Sequence, residues 1–375
     1  MPSTTGVSEQ RVLDEFLRLV QIDSVTFEEA AVATVLEEKL RRLGFEVLND
    51  RTGPSTGNLI ARMPGTTKGT PIVLNAHMDT VEPGRGIRPV VEGKVVRSSG
   101  NTVLGGDCKA PIAAILEGLR AVLAAGAPRP DLEILFTWAE ERSHLGARAL
   151  DMSLLKGKLA FSLDASQPIG TLFDSAPGYW SLLATFNGKA AHAGVTPEKG
   201  INALVAASRA IARMPLGRID DETTANIGLI TGGTVRNTVP AVVRIEGEAR
   251  SRDDSKLAAQ VETMSAAMRE EAAKLGVVLE MQFKEEYKPY RHSPDSLVVV
   301  AAGRALSRLG LPVSIVPTGG GSDANDLNAK GLPTVVMGCG MVDTHTLEES
   351  FAVADLVMLS RVVTSLIAEA AELEY

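Results

Sequence analysis

Seven positions carry side chains that bind metal ions or move protons: His77, Asp79, Asp107, Glu140, Glu141, Asp164 and His345. Nearly all close an apolar run or follow one. Carboxylates are hard ligands and imidazoles borderline ones, a mixture that suits a pair of divalent cations, and such a pair activates water for hydrolysis. In NAHMDTV, His77 and Asp79 are two apart at an expected strand end and point to the same side. A carboxylate behind an imidazole fixes its tautomer, although the pair alone reads equally well as a strand-end histidine satisfied by a neighbour. In LGGDCKAPIAA, Asp107 follows two glycines and precedes a helix. It reads as a helix cap or as a carboxylate shared by two cations, with the glycines permitting a tight turn. Glu140 and Glu141 follow LEILFTWA, where adjacent acids repel unless they do different work; an exposed acidic turn is the alternative. Asp164 closes LAFSLD and His345 sits in the glycine-rich GCGMVDTHTLEE, before an expected helix. His144, on a helical turn beginning near Ser143, is expected to face solvent, and Lys109 reads as a solvated charge.

The elements that must position these residues alternate. A helical period covers 8–44 with a break at Asp23-Ser24-Val25, and Gly44 stops it. Strands are expected at 45–48, 58–63 and 72–76, a helix at 110–125, and strands at 132–138 and 159–163. Mostly apolar runs such as 72–76 suit central parallel strands, so the class is α/β. From about Pro177 to Tyr287 the order becomes β-α-β-β-α-β, which marks an inserted α+β, ferredoxin-like module. The expected organisation is one discontinuous domain, 1–176 with 288–375, interrupted by 177–287. After the insertion, a helix is expected at 296–309, strands at 313–316 and 334–336, and a last helix at 353–373. The run TGGGSDAND, 318–326, reads as a loop whose N–H groups meet an anionic substrate end. It lacks the Lys and Ser/Thr of a phosphate-binding loop.

Composition narrows the classes. A chain of 375 residues, 45% hydrophobic and 22% charged, is long enough for two domains and folds. A net charge of −8 without a dense basic block argues against nucleic acid and anionic membranes as partners. The polar opening MPSTTGVSEQ has no leader-like pattern and no apolar run is long enough to span a bilayer, which points to the cytoplasm. Two cysteines, Cys108 and Cys339, make no disulfide framework and are expected to be free thiols.

Together the His-x-Asp, Gly-Gly-Asp-x-Lys, Glu-Glu, later Asp and near C-terminal His segments resemble the M20 family of dinuclear zinc amidohydrolases over nearly the whole chain. The texture of LGGDCKAPIAAILEGL and FDSAPGYWSL is closest to tripeptidase-T-like members. The resemblance implies a zinc-exopeptidase-like catalytic domain in which His77, Asp107 and Asp164 bind one zinc, and Asp107, Glu141 and His345 the other. Cobalt or manganese would suit the same ligands. It gives Glu140 the role of general base and Asp79 that of supporting His77. It makes the insertion a lid and dimerisation domain whose His192 reaches the neighbouring subunit's site, so that a homodimer is expected. Asn237 and Arg252 would contact the substrate, and Gly319, Gly320 and Gly321 would line its pocket. The implied substrate is a short peptide, or alternatively an N-acyl or N-carbamoyl amino acid; a scaffold that has lost catalysis is the reading from another class. Where the family commonly has a second Asp after the bridging one, this chain has Cys108, which is not expected to ligate beside an available carboxylate. The bond between Asp107 and Cys108 is expected to be cis, and Pro111 to fall in the first turn of the helix.

Overall fold

The computed structural model describes residues 6–374. The opening stretch read as leader-free begins with residues 1–5, which lie outside the described residues. The chain divides into two compact units. One comprises residues up to Asp174 with His292–Pro317 and 322–375; the other is Ser175–Arg291 with Thr318–Gly321. The second unit therefore opens and closes slightly outside the expected 177–287 and also takes in the glycine loop.

The first unit begins with α1 (Glu9–Val20), capped by Ser8 Oγ, which accepts from the Arg11 N–H, and with Val12, Phe16 and Leu19 buried on one face. Next come α2 (Ala30–Arg42), β1 (Glu46–Asn49), β2 (Leu59–Met63) and β3 (Ile72–His77). A hairpin follows, β4 (Pro89–Glu92) and β5 (Val95–Ser98), turning through Gly93 and Lys94, both left-handed at φ 55° and 69°. The unit continues with α3 (Gly106–Ala124), β6 (Leu132–Thr137), α4 (Leu145–Ala149), β7 (Leu159–Ala165) and β8 (Thr171–Ala176). The second unit holds β9 (Gly178–Asn187), α5 (Ala203–Arg213), β10 (Gly217–Arg218), β11 (Thr223–Gly232), β12 (Val242–Ser251), α6 (Asp254–Leu275), β13 (Val278–Tyr287) and β14 (Tyr290–Arg291). The return path adds α7 (Leu297–Arg308), β15 (Ser314–Pro317), α8 (Asp323–Ala329), β16 (Thr334–Gly338), β17 (Ser350–Ala352) and α9 (Val353–Glu372).

The main sheet runs β1-β2-β6-β3-β7-β16-β8, a mixed α/β arrangement. Its centre, β6, β3, β7 and β16, is parallel, and every residue of β3, β6 and β16 is buried. Alternation sends Ile72 and Leu74 into the large core with α3 and α9, and Val73 into a smaller core with Leu135, Leu150, Ala160 and Leu327. In the second unit, β11-β12-β9-β13 is antiparallel and ferredoxin-like, with β10 at the β11 edge, and α5 and α6 cover Leu182, Phe186, Val243 and Ile245. No helix among the described residues is long and apolar enough to cross a membrane.

Two expectations fail here. The stretch 318–326 is a loop only as far as Ser322: α8 starts at Asp323, with Ser322 and Asn325 forming a reciprocal capping box. After His345 the chain enters β17 before α9 begins.

Candidate metal centre and active site

Parallel strands bring their carboxyl ends to one edge, where open α/β sheets bind ligands. His77 is the last residue of β3, Asp164 is next to last in β7, and Glu140 and Glu141 form the turn after β6. Asp107 arrives differently. Gly105, left-handed at φ 70°, opens the segment, and Asp107 and Cys108 are not helical although they lie within the bounds of α3. The Asp107–Cys108 peptide is cis, and Pro111 falls in the first regular turn. Asp107 is thus no helix cap. His345 is carried by a loop closed where Val342 pairs with Ser350, and β17 is itself held by β5 through Ser350 and Arg97.

The side chains converge. His77 Nε2 lies 3.0 Å from Asp107 Oδ1 and 3.5 Å from Asp164 Oδ1. His345 Nε2 lies 3.2 Å from Asp107 Oδ2 and 2.9 Å from Glu141 Oε1. Asp107 therefore offers one oxygen to each imidazole. His77, Asp107 and Asp164 form one group with ligand atoms within 4.8 Å of one another; Asp107, Glu141 and His345 form a second, and His77, Glu140 and Glu141 a third. His77 Nδ1 hydrogen-bonds the Asp79 backbone carbonyl at 3.1 Å with the Asp79 carboxylate 3.3 Å away, and that carboxylate accepts from the Glu140 N–H (2.9 Å), the Glu141 N–H (3.3 Å) and the Thr26 hydroxyl (2.8 Å). It fixes the acidic turn as well as the imidazole.

The electrostatics call for positive charge. Burial pushes the Glu140, Glu141 and Asp164 carboxyls up. Burial also works against the charge on Asp107, but hydrogen bonds from His345 and His77 outweigh it and hold this carboxyl well below the usual range. Asp107 and then Glu141 raise His345 to about 10. Four acids share a recess with two imidazoles, a donor set that fits divalent cations. Cys108 lies in the first group, but its buried thiol donates to the Leu163 carbonyl at 3.0 Å and burial raises its pKa well above the ordinary value. It stays a thiol.

Several expectations are overturned. His144 does not face solvent: it is buried, with Nδ1 3.3 Å from Asp326 Oδ2, because Ser143 and His144 are both left-handed and turn the ring inward. Such backbone costs on the order of 1–3 kcal/mol and persists only where its surroundings enforce it. Lys109 is no solvated charge either; it is fully buried, donates to the Ile22 carbonyl at 2.7 Å, and burial lowers it to about 8. Glu349, which escaped sequence reasoning, accepts from the Gly105 N–H at 2.8 Å and the Asp107 N–H at 3.1 Å, and so holds the loop that carries Asp107. Asp323 was also missed. It is buried, accepts from Asn75 and Thr137, and burial raises it to about 6.

The remaining named residues lie in the second unit. His192 is exposed and bridges to Thr238, and the Asn237 carbonyl accepts from the Ala193 N–H at 2.9 Å, so the two share one hairpin-like contact. Arg252 donates to the Asp221 carbonyl at 2.8 Å. Arg250 instead stacks 4.6 Å over the Tyr179 ring, near the Tyr287 hydroxyl, and pairs with Glu248 at 3.1 Å. Gly319 and Gly320 are exposed, whereas a Cβ on Gly321 would fall 2.4 Å from the Tyr287 ring, so only glycine fits there.

With this geometry in place, comparison with known proteins is informative. Residues 73–369 match peptidase family M20/M25/M40. The chain is 42% identical over 370 residues to the uncharacterized protein YqjE of Bacillus subtilis, covering 98% of this chain and all of that one. Its structure is similar to that of the aminopeptidase PepT from Bacillus cereus, with a TM-score of 0.92, 39% identity, and 97% and 99% of the two chains covered. It is also similar to a tripeptidase from Staphylococcus aureus, with a TM-score of 0.95, 35% identity, and 98% and 100% coverage. The chain thus belongs to peptidase family M20, and it is a hydrolase of peptide bonds.

Proposed function

We propose that this protein is a two-metal exopeptidase that releases the N-terminal residue of short peptides, tripeptides above all. The observation that carries the reading is Asp107, with Oδ1 3.0 Å from one imidazole and Oδ2 3.2 Å from the other. His77, Asp107 and Asp164 would hold one ion, and Asp107, Glu141 and His345 the other, with zinc the proposed metal and cobalt or manganese accepted by the same donors. A bound pair lowers the pKa of water and polarises the substrate carbonyl. The protein's own part is then proton handling. Glu140, raised by burial, takes the proton of the attacking water at its carboxylate and delivers it to the leaving amine. Asp79 holds the Glu140 and Glu141 backbone in register with His77, which keeps base and ligand on opposite duties.

The second unit belongs to this reading as lid and dimerisation domain. Beyond Ala225, β11 has no strand on its outer side among the described residues, and Leu229 and Ile230 are exposed there at 57% and 47%. Such an edge invites pairing with a second copy. His192 and Asn237 are proposed substrate contacts. Arg252, which gives one N–H group to the Asp221 carbonyl, is proposed to take the substrate carboxylate, since Arg250 is already held by two bonds to Glu248. Two buried free thiols suit a cytoplasmic compartment.

The test is amine release from free tripeptides, dipeptides and N-acetyl amino acids by zinc- or cobalt-loaded protein with a chelator control. Metal-dependent turnover of tripeptides, abolished in Glu140→Gln, is expected. Turnover of blocked amino acids alone would move the protein to the deacylases, and full activity in Glu140→Gln would remove the base assignment.

A further inference from the structure

One buried polar group beside the cluster has no part in the mechanism above. His144 presents two faces: Nδ1 lies 3.3 Å from Asp326 Oδ2 and Nε2 lies 3.5 Å from Glu140 Oε1. Its partners are fastened in turn. The Lys330 ammonium donates to the Ala147, Arg148 and Leu150 carbonyls at 2.9, 2.6 and 2.8 Å, tying α4 to the end of α8, the helix that carries Asp326. Arg148 donates to the Ser143 carbonyl at 2.9 Å, and its Nε stands 3.8 Å from Asp326 Oδ1. Charged groups around His144 include Glu140 from the acidic turn, Asp326 and Asp323 from α8, and Arg148 from α4. An imidazole anchored on one nitrogen by a carboxylate has its other nitrogen in a fixed direction. With Nδ1–H given to Asp326, that nitrogen is left to meet one Glu140 oxygen.

We propose that His144, seated by Asp326, is a positioning residue that holds one oxygen of Glu140 and thereby turns the other towards the cluster. The proposal rests on Glu140 being the proton carrier. It predicts a loss in turnover without a loss in substrate or metal binding, since a misplaced catalytic group costs up to about 100-fold in rate.

The experiment measures kcat, KM and metal content of the metal-loaded enzyme on a free tripeptide. His144→Leu is expected to lower kcat about 10- to 100-fold with KM and metal content unchanged. His144→Gln, whose amide can still donate to Glu140, should recover a substantial part of that loss. Asp326→Asn should lower kcat alone and add little in the His144→Leu background, as residues acting in one chain do. Unchanged kcat in His144→Leu, or a loss matched by lost metal, overturns the proposal. So does a Gln variant no better than Leu. If His144→Leu does not fold, Asp326→Asn decides: lowered kcat at constant KM supports the proposal and unchanged kcat overturns it. Glu140→Gln is run alongside. Full activity there removes the base and this proposal together, whereas its inactivity with full kcat in His144→Leu removes the proposal alone.

Discussion

Asp107 divides its two oxygens between His77 and His345, so protons occupy ground that cations would claim. His345, raised to about 10 by Asp107 and Glu141 from an ordinary 6.5, holds a proton at neutral pH in the metal-free protein. A metal bound there as proposed would have to displace it. Apparent metal affinity should therefore rise with pH up to about 10, and calorimetric titration in buffers of different ionisation enthalpy at pH 8 should show proton release; a proton-neutral titration would exclude His345 as a ligand. The same shift has a stability sign. A folded value above the unfolded one stabilises the metal-free protein fully below about 6.5, and that contribution is lost as pH rises through about 10. The converging residues were legible because all but His345 close or follow an apolar strand or a Gly-Gly pair, and His345 stands in a glycine-rich loop. The buried charges behind them were not. Lys109, His144 and Asp323 look in sequence like surface residues, since burial of a lone polar side chain leaves no periodic trace.

Short and kinked elements set the site, and long ones hold it up. Glu349 precedes β17 and accepts two N–H groups of the Gly105–Asp107 loop. A glutamine can accept at only one of its two positions, so Glu349→Gln should weaken metal binding about 10- to 100-fold, as loss of an outer partner does, with the fold intact by circular dichroism. Beneath the loop, α3 packs on α9 with almost no tolerance: a Cβ on Gly118 would meet Val363 Cγ1 at 2.6 Å and the Ser360 carbonyl at 3.0 Å. Gly118→Ala should therefore destabilise by about 1–3 kcal/mol in denaturant melts, despite alanine's better helix propensity. Helix α3 and strands β3, β6 and β7 were readable from period and mostly apolar runs. The β4–β5 hairpin and β8 went unread, because PVVE, VVRS and TLFDSA bury only part of their residues and lack the continuous burial of β3 and β6, which are no longer than β8. For α8 the Ser322-x-x-Asn325 cap was the available signal, hidden in a stretch that looked like loop.

At the scale of the molecule, the β-α-β-β-α-β order was visible because its two helices and four main strands each bury an alternating or helical face. Membership of the glycine loop 318–321 in that unit was not, since chain order gives no hint that a distant loop belongs there. If two copies pair along β11 and share His192, sedimentation should show a dimer, and Ile230→Lys should convert it to monomers with lost activity. Mixing inactive His192→Ala with inactive Glu140→Gln should restore turnover through hybrid dimers; no recovery would place His192 in its own subunit's service. Sharing of that kind would make the working unit the pair.

The hydrogen bonds from Gly105 and Asp107 to Glu349 cross 244 and 242 residues of chain. During synthesis the loop that carries Asp107 is made early, yet its holder and His345 emerge only after residues 175–291 of the second unit have been made. Domains ordinarily fold as units as they leave the ribosome, but the second unit itself takes in Thr318–Gly321, so both units wait for residues beyond Arg291. A nascent chain halted at Arg291 would carry His77, Asp107, Glu141 and Asp164 without the residues that close the site. If the ions are held as proposed, a chain abandoned before that point lacks His345 and the holder of Asp107, and metal loading would be a late event tied to the arrival of the C-terminal segment.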